Sequence, residues 1–280
     1  MTIGKMLVTA LTVLSLSTPA LAAREIVING STTVLPVMQK AGEAFMASHP
    51  GVQLSISGGG SGNGIKALID KQCDVAMSSR DIKGKEKAAA DKNGVTPVRT
   101  AIAVDAIVPV VHPSNTVSGL TTQQLRDIYT GKVTNWKELG GADAKIVIIS
   151  RDTSSGTFEC WEELVMNKER VTPAALMQAS NGAVVQAVSN NKNAVGYIGL
   201  GYLDNANHYG GAQRTGGLKV NNVQASAQTA LSKQWPVARE LYIFTDGQPT
   251  GEVKALVDYL LDPGKGQKSV REVGYVPLAH

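Results

Sequence analysis

Three times along this chain a short apolar run breaks into a loop of small hydroxyl and glycine residues and then into helical spacing, a repetition that few folds accommodate. Residues 145–161 read KIVIISRDTSSGTFECW. The run at 146–149 has the β-branched density of a buried strand. Ser154, Ser155, Gly156 and Thr157 follow where a helix exposes its unpaired N–H groups, and Arg151 adds a permanent cation beside them. Residues 53–66, QLSISGGGSGNGIK, carry an alternating strand into a glycine-rich loop around Ser61. Residues 25–36, EIVINGSTTVLP, place Ser31, Thr32 and Thr33 between a strand and a helix. One such loop alone is an ordinary helix N-cap. Three sharing one chemistry point to an oxyanion ligand, which needs many donors converging from several directions.

The rest of the chain continues the alternation. Strands are expected at VQLSIS, DVAMS, VTPVRTAIAV, KIVIIS, AVGYIG and ELYIFT. Helices are expected at VMQKAGEAFM, GIKALID, KGKEKAAADK, LTTQQLRDIYTG, 157–166, near 182–189 and at GEVKALVDYLLDP. This βα order predicts an α/β protein whose mostly parallel sheets carry helices on both faces. The run DAIVPVVHP at 105–113 follows the preceding strand with almost no turn, so the chain is expected to pass directly from one sheet into a second. Ligands in open α/β sheets lie beyond the carboxyl ends of the strands. The three loops therefore place the site in a cleft between two lobes, with relative lobe motion as its mechanism. The division expected is 24–104 plus 235–280 for one lobe and 105–234 for the other.

Residues 1–23 have one Lys, a short apolar core and an Ala-Leu-Ala exit, the pattern of a cleaved secretory signal peptide, which directs the mature chain to a bacterial periplasm. About 257 residues then remain, enough for one large domain or two ordinary ones. The net charge of +4 falls only by the single charge of Lys5, and no basic stripe interleaved with aromatics accompanies it, so no nucleic-acid partner is expected. Cys73 and Cys160 are expected as two free, buried thiols in different domains. With no CxxC and four scattered His residues, neither a metal site nor a cofactor is expected.

The motifs NGSTTVLP, SGGGSGNGIK, DVAMSSRDIK, LRDIYTGKVTNWKELGG and SRDTSSGTF, in this order, resemble those of the phosphate-binding proteins of bacterial phosphate ABC transporters, of the type II periplasmic binding-protein fold. The resemblance covers essentially the whole mature chain. It implies two α/β lobes joined by two crossings and closing on a dehydrated phosphate, which is delivered to an inner-membrane permease by a monomeric receptor. The phosphate donors it implies are Ser31, Thr32, Thr33, Ser61, Arg151, Ser155, Gly156 and Thr157. Residues Thr130, Gly131, Asn135 and Trp136 read instead as a turn and packing.

Two departures stand out. Where many family members carry an Asp that accepts the proton of bound hydrogen phosphate, this chain has Ser79 followed by Arg80. Either Asp105, Asp74 or Asp81 takes over that role, or hydroxyl and backbone acceptors do. Ser79 is counted with the site. Arg80 is counted with it as a second cation, with the alternative that it is a structural arginine paired with Asp81 or another carboxylate. The acidic brace of the family's arginine corresponds to Thr153, so Arg151 is expected to be braced differently. The runner-up function is the same fold binding sulfate or molybdate, or acting as a sensor. A serine hydrolase or phosphatase is the remote alternative, disfavoured because no GxSxG elbow or P-loop is present and no His stands beside Ser61 or Ser155.

Overall fold

The computed structural model describes residues 24–203 and 215–278. The proposed signal peptide, His208 and His280 lie outside the described residues. The first half of the chain runs β1 (Arg24–Gly30), α1 (Leu35–Ser48), β2 (Val52–Gly58), α2 (Ser61–Ile69), β3 (Val75–Ser78), α3 (Gly84–Lys92) and β4 (Pro97–Val111). It continues through β5 (Gly119–Leu120), α4 (Thr122–Thr130), β6 (Val147–Arg151), α5 (Gly156–Leu164), β7 (Leu176–Gln178), α6 (Asn181–Ser189), β8 (Ala194–Gly199), β9 (Gly216–Gly217) and β10 (Lys219–Val220). It closes with α7 (Ala227–Leu231), β11 (Ala238–Asp246), α8 (Gly251–Leu261) and α9 (Gly266–Glu272).

As expected, the chain passes straight from the mostly parallel sheet of one lobe into that of the other, and the two are joined edge to edge; β5 and β10 pair apart from them. The described strands of the joined sheets follow the order β2-β1-β3-β11-β4-β8-β6-β7, with β9 also on β4. The two apolar runs at 97–104 and 105–113 form the single 15-residue strand β4, which pairs with β11 over its first part and with β8 from Ile107 onward. One strand thus serves both lobes. Pairing is parallel within each lobe, β1 with β2 and β3 on one side and β6 with β7 and β8 on the other. The central strands β4 and β11 are antiparallel to each other and to β8 and β3 respectively, because they carry the chain to and fro between the lobes.

Each half of the sheet buries its own apolar cluster. One gathers Ile26, Ile28, Val37, Phe45, Ile243 and Leu256 between β1, β11, α1 and α8, with a satellite around Ile65, Leu68 and Phe244. The other gathers Ile107, Ile128, Trp161, Val184 and Tyr197, and also takes in Trp235 and Val237 on the returning crossing. Cys73 lies in the satellite of the first lobe, whereas Cys160, expected to be buried, is half-exposed; both are unbonded.

The parallel pairing also explains where the loops point. In each lobe a strand ends at the cleft and the next helix begins there, so α1, α2, α5 and α6 all present N-termini to the same side. At the first of these turns Gly30 has φ 135°, and a Cβ on it would lie 2.2 Å from the carbonyl oxygen of Met77, so β1 can meet β3 this closely only with glycine there. In the second lobe Trp161 of α5 stacks on Tyr197 of β8, centroids 4.4 Å apart. The Tyr197 hydroxyl accepts from the Arg151 backbone N–H at 3.2 Å and pairs with Ser150 Oγ at 3.0 Å, which ties the aromatic core to the end of β6.

Candidate functional site

All ten residues singled out from the sequence are buried, and most of them meet where the two lobes face each other. Thr33 Oγ1 of the first lobe lies 2.8 Å from Thr157 Oγ1 of the second, and Arg151 Nη2 donates to Thr32 Oγ1 at 3.3 Å. Ser61 Oγ lies 3.2 Å from Ser79 Oγ and accepts from the Ser79 N–H at 3.0 Å. Gly156 faces that pair: a Cβ on it would come within 2.5 Å of Ser61 Oγ and 2.7 Å of Ser79 Oγ. Ser31 Oγ accepts from the N–H groups of Thr33 and Val34 at the start of α1, and Ser155 Oγ caps α5 by accepting from Phe158 N–H. These caps satisfy some of the orphan amides and fix the hydroxyls at the cleft.

Arg151 is 1% exposed. Its brace is made of backbone carbonyls: Nε donates to Gln178 O at 3.0 Å and Nη2 to Ala179 O at 3.1 Å. Its Nη1 is buried with no hydrogen-bond partner among the described residues. Among the described residues no carboxylate hydrogen-bonds the guanidinium. Burial lowers its pKa, and the charge of Arg239 works in the same direction. A buried cation with a spare donor face and a second cation nearby stabilises any anion placed between them. Asp152, its neighbour in sequence, is occupied by the Ser154 N–H and hydroxyl.

Two residues of the cluster escape the reading of the sequence. Arg239, at the start of β11, donates from Nη2 to Thr157 Oγ1 at 2.8 Å and to Thr33 Oγ1 at 3.3 Å, and from Nη1 to Ser79 O at 3.1 Å. Its Nε and Nη2 hold Asp105 Oδ2 at 3.0 and 2.9 Å. Asn181, the first residue of α6, accepts the Gly199 N–H on Oδ1, which turns its Nδ2 toward Thr32 Oγ1 at 3.2 Å and Thr33 Oγ1 at 3.0 Å. The only hint of either in the sequence is a polar residue at the cleft end of an apolar strand or at a helix start.

Arg80 is placed by carboxylates. Its Nη1 and Nη2 fork onto Glu86 at 2.8 and 2.7 Å, and its Nε lies 2.8 Å from Glu159 Oε2 on α5 of the other lobe. Lys83 reaches the same Glu159 oxygen at 2.7 Å. Of the two roles open for Arg80, the structure displays the pairing with carboxylates, and these are Glu86 and Glu159; Asp81 takes Arg99 instead. None of the three candidate acidic acceptors is free. Asp105 is fully buried and, besides Arg239, receives the Leu200 N–H at 2.9 Å. Burial raises its pKa against the opposing pull of Arg239 and the amides. Asp74 accepts from Val27 N–H and lines a pocket with Arg24 and Asp246, outside the cluster. Thr130, Gly131, Asn135 and Trp136 form a helix end, a left-handed turn and a 3₁₀ cap, with Trp136 Nε1 donating to Asn193 O. Among the described residues no group of three or more His, Cys, Asp or Glu is placed to hold a metal ion, and no helix is long and apolar enough to cross a membrane.

Residues 17–263 match the model of the PBP superfamily domain. The chain is 30% identical over 259 residues to the phosphate-binding protein PstS of Borreliella burgdorferi, covering 90% of this chain and 89% of that one. It is 28% identical to the PstS of Bacillus subtilis, covering 92% and 82%. Among solved structures, a phosphate ABC transporter substrate-binding protein with bound phosphate from Clostridium perfringens superposes with a TM-score of 0.83 at 35% identity, covering 91% of this chain and all of that one. An ABC-type phosphate transport receptor from Vibrio cholerae gives 0.70 at 29% identity, covering 90% and 100%. The site residues lie within the matched span, and the chain belongs to the PBP superfamily and, within it, to the family of PstS phosphate-binding proteins.

Proposed function

We propose that this chain is a periplasmic receptor that captures inorganic phosphate between its lobes, 24–104 plus 235–280 and 105–234, and delivers it to an inner-membrane ABC permease. The observation that carries this reading is the Arg151 guanidinium, buried without a carboxylate and with Nη1 unpartnered, in a ring of hydroxyls from both lobes. Such a group costs stability unless an anion takes the spare donors. The names of the relatives and the bound phosphate of the Clostridium perfringens structure identify a tetrahedral phosphate as the fitting anion. The ligand donors in this reading are Ser31, Thr32, Thr33, Ser61, Ser79, Arg151, Ser155, Gly156 and Thr157, joined by Arg239. Arg80 acts beside them as a clasp between lobes.

A micromolar dissociation constant asks for only about −8 kcal/mol net of dehydration and lobe closure, within reach of a dozen fixed donors. A hydrolase reading gains nothing from the geometry: His49 stacks on Phe45 and His112 bonds Ser114, both away from Ser61 and Ser155. Calorimetry with phosphate tests the assignment. Arg151→Ala is expected to weaken binding at least about a hundredfold while the protein stays folded, because a buried charged donor to the anion is lost. Unchanged affinity in this variant would sink the proposal.

A further inference from the structure

Helices α2 and α3 both begin at the cleft and run away from it side by side, and Asn93 Nδ2 donates to Ile69 O at 3.2 Å to tie their far ends. Between them lies a groove of about 450 Å³. Its walls repeat one spacing, with Gly62, Lys66 and Ile69 on α2 and Lys85, Ala89 and Lys92 on α3, so each helix turns a single face to it. The floor is apolar and low: Ile69 is 5% exposed, and Gly62 and Ala89 carry at most a methyl group. Helix α3 buries only Ala90 and leaves Ala88 and Ala89 exposed. So lightly packed a helix is stabilised further by whatever covers it.

The rim of the groove is basic. Lys66 is held by Asp70, whereas Lys85, Lys87 and Lys92 make no ion pair among the described residues. Glu86 also lines the groove, but its carboxylate is taken by Arg80 and the Lys83 N–H, and Asp91, the other acidic residue of α3, lies off the groove. Lys85 and Lys92 stand about 10 Å apart along the helix, two turns on one face. A helix with carboxylates at that interval would meet both lysines while its apolar ridge filled the floor between α2 and α3. A small oxyanion finds no converging donors here, and a flat bilayer cannot reach a concave floor.

The cleft end of the groove is finished by the second lobe. The Gly62 N–H donates to Ser154 O at 2.9 Å, and Ser154 Oγ donates to Gly59 O at 3.3 Å. Arg80, held by the groove residue Glu86, reaches Glu159 at 2.8 Å. All three contacts exist only while the lobes are together, so the groove has a rigid head when the cleft is closed and loses it when the cleft opens. We propose that the α2–α3 groove docks an acidic amphipathic helix of the inner-membrane permease and that closure of the lobes completes it. The inference rests on the reading of this chain as a phosphate receptor for a transporter, and names the surface and the chemistry by which the loaded form is recognised.

Binding of the mature protein to the cognate phosphate permease complex in nanodiscs, with and without saturating phosphate, tests this. The native protein is expected to bind at least about tenfold more tightly when loaded. Lys85→Glu/Lys92→Glu is expected to weaken the loaded complex about tenfold or more, while phosphate affinity by calorimetry stays within about twofold, because neither lysine reaches the cleft. Ala89→Leu fills the floor without changing charge or helix propensity and is expected to weaken docking by about tenfold as well. Docking that survives in either groove variant, or that falls as far on the same charge reversal at Lys254 and Lys268 of α8 and α9, would overturn the inference and leave the phosphate reading standing. So would an equal loss of binding to permease-free vesicles of phosphatidylglycerol, which would assign the lysines to the membrane. A native protein that binds phosphate and never the permease overturns the transport reading beneath the inference, and one that binds no phosphate overturns the reading of the cleft.

Discussion

Asp105 and Arg239 stand directly opposite each other on β4 and β11, one residue pair before β4 leaves its pairing with β11 for its pairing with β8. Their side chains meet at 2.9 and 3.0 Å, and both are nearly or fully excluded from solvent. The pair therefore joins the two crossings and positions the cation that touches Thr33 and Thr157 from opposite lobes. Removing one partner strands a buried charge. Arg239→Gln or Asp105→Asn alone is expected to cost about 3–5 kcal/mol in urea unfolding, and the double variant to cost much less than the sum. Phosphate binding should remain at least about a hundredfold weakened in Arg239→Gln and in the double variant, because the cation is absent from both. Strict additivity of the two single costs would contradict the coupling.

Asn181 acts by direction rather than charge. Its Oδ1 is fixed by the Gly199 N–H, so Nδ2 donates to Thr32 and Thr33 and leaves their protons for other partners. An aspartate there would present an acceptor to the same hydroxyls, draw their protons away from the anion and add a like charge. Asn181→Asp is expected to bind phosphate at least about tenfold more weakly than Asn181→Ala, which merely loses the two donors. Equal affinities by calorimetry would show that the orientation of these hydroxyls is immaterial.

The loops NGSTT, SGGGSGNG and SRDTSSGT were legible because their chemistry is local: consecutive small residues at a strand end become a helix N-terminus wherever the strand lies. Asn181 and Arg239 were not, since each matters only through partners brought close by strand pairing; Arg239 meets Asp105 across 134 positions. What neutralises Asp105 inside the apolar run of β4 was equally hidden, because the arginine that pairs with it belongs to a distant strand. Helix α9 was hidden similarly, because Gln267, polar in sequence, is fully buried and donates to Ile102 O and Leu260 O.

Gly156 lies on the lobe opposite Ser61 and Ser79, so its missing Cβ matters only when the lobes are closed. Gly156→Ala would place a methyl group 2.5 Å from one hydroxyl and 2.7 Å from the other. The ligand-free variant is expected to keep its stability within about 1 kcal/mol, since the lobes can stand apart, and to lose phosphate affinity by about a hundredfold. Small-angle scattering checks the cause: phosphate should contract the native protein and fail to contract the variant. Equal contraction in both would place the loss elsewhere than in closure.

The clasp around Arg80 supplies the last expectation. Glu86 and Lys83 flank Arg80 on the first lobe, and Glu159 reaches it from the second at 2.8 Å. Glu159→Gln removes the charge that crosses between lobes and is expected to speed phosphate release about tenfold with little change in the association rate, because closed-state contacts act mainly on dissociation. Glu86 holds the guanidinium from its own lobe. Burial would raise its pKa, but the hydrogen bonds and charges of Arg80 and Lys83 prevail and hold it below 4.5. A carboxylate with a depressed folded pKa stabilises the protein fully above its unfolded value and loses that contribution as the pH falls through the folded one. The stability difference between native protein and Glu86→Gln should therefore be constant from pH 7 to about 5.5 and shrink as the pH falls below about 4.5. Urea unfolding at stepped pH measures it. A difference that has already vanished at pH 5 would mean that Arg80 does not hold Glu86 ionised, and that the clasp owes its place to packing instead.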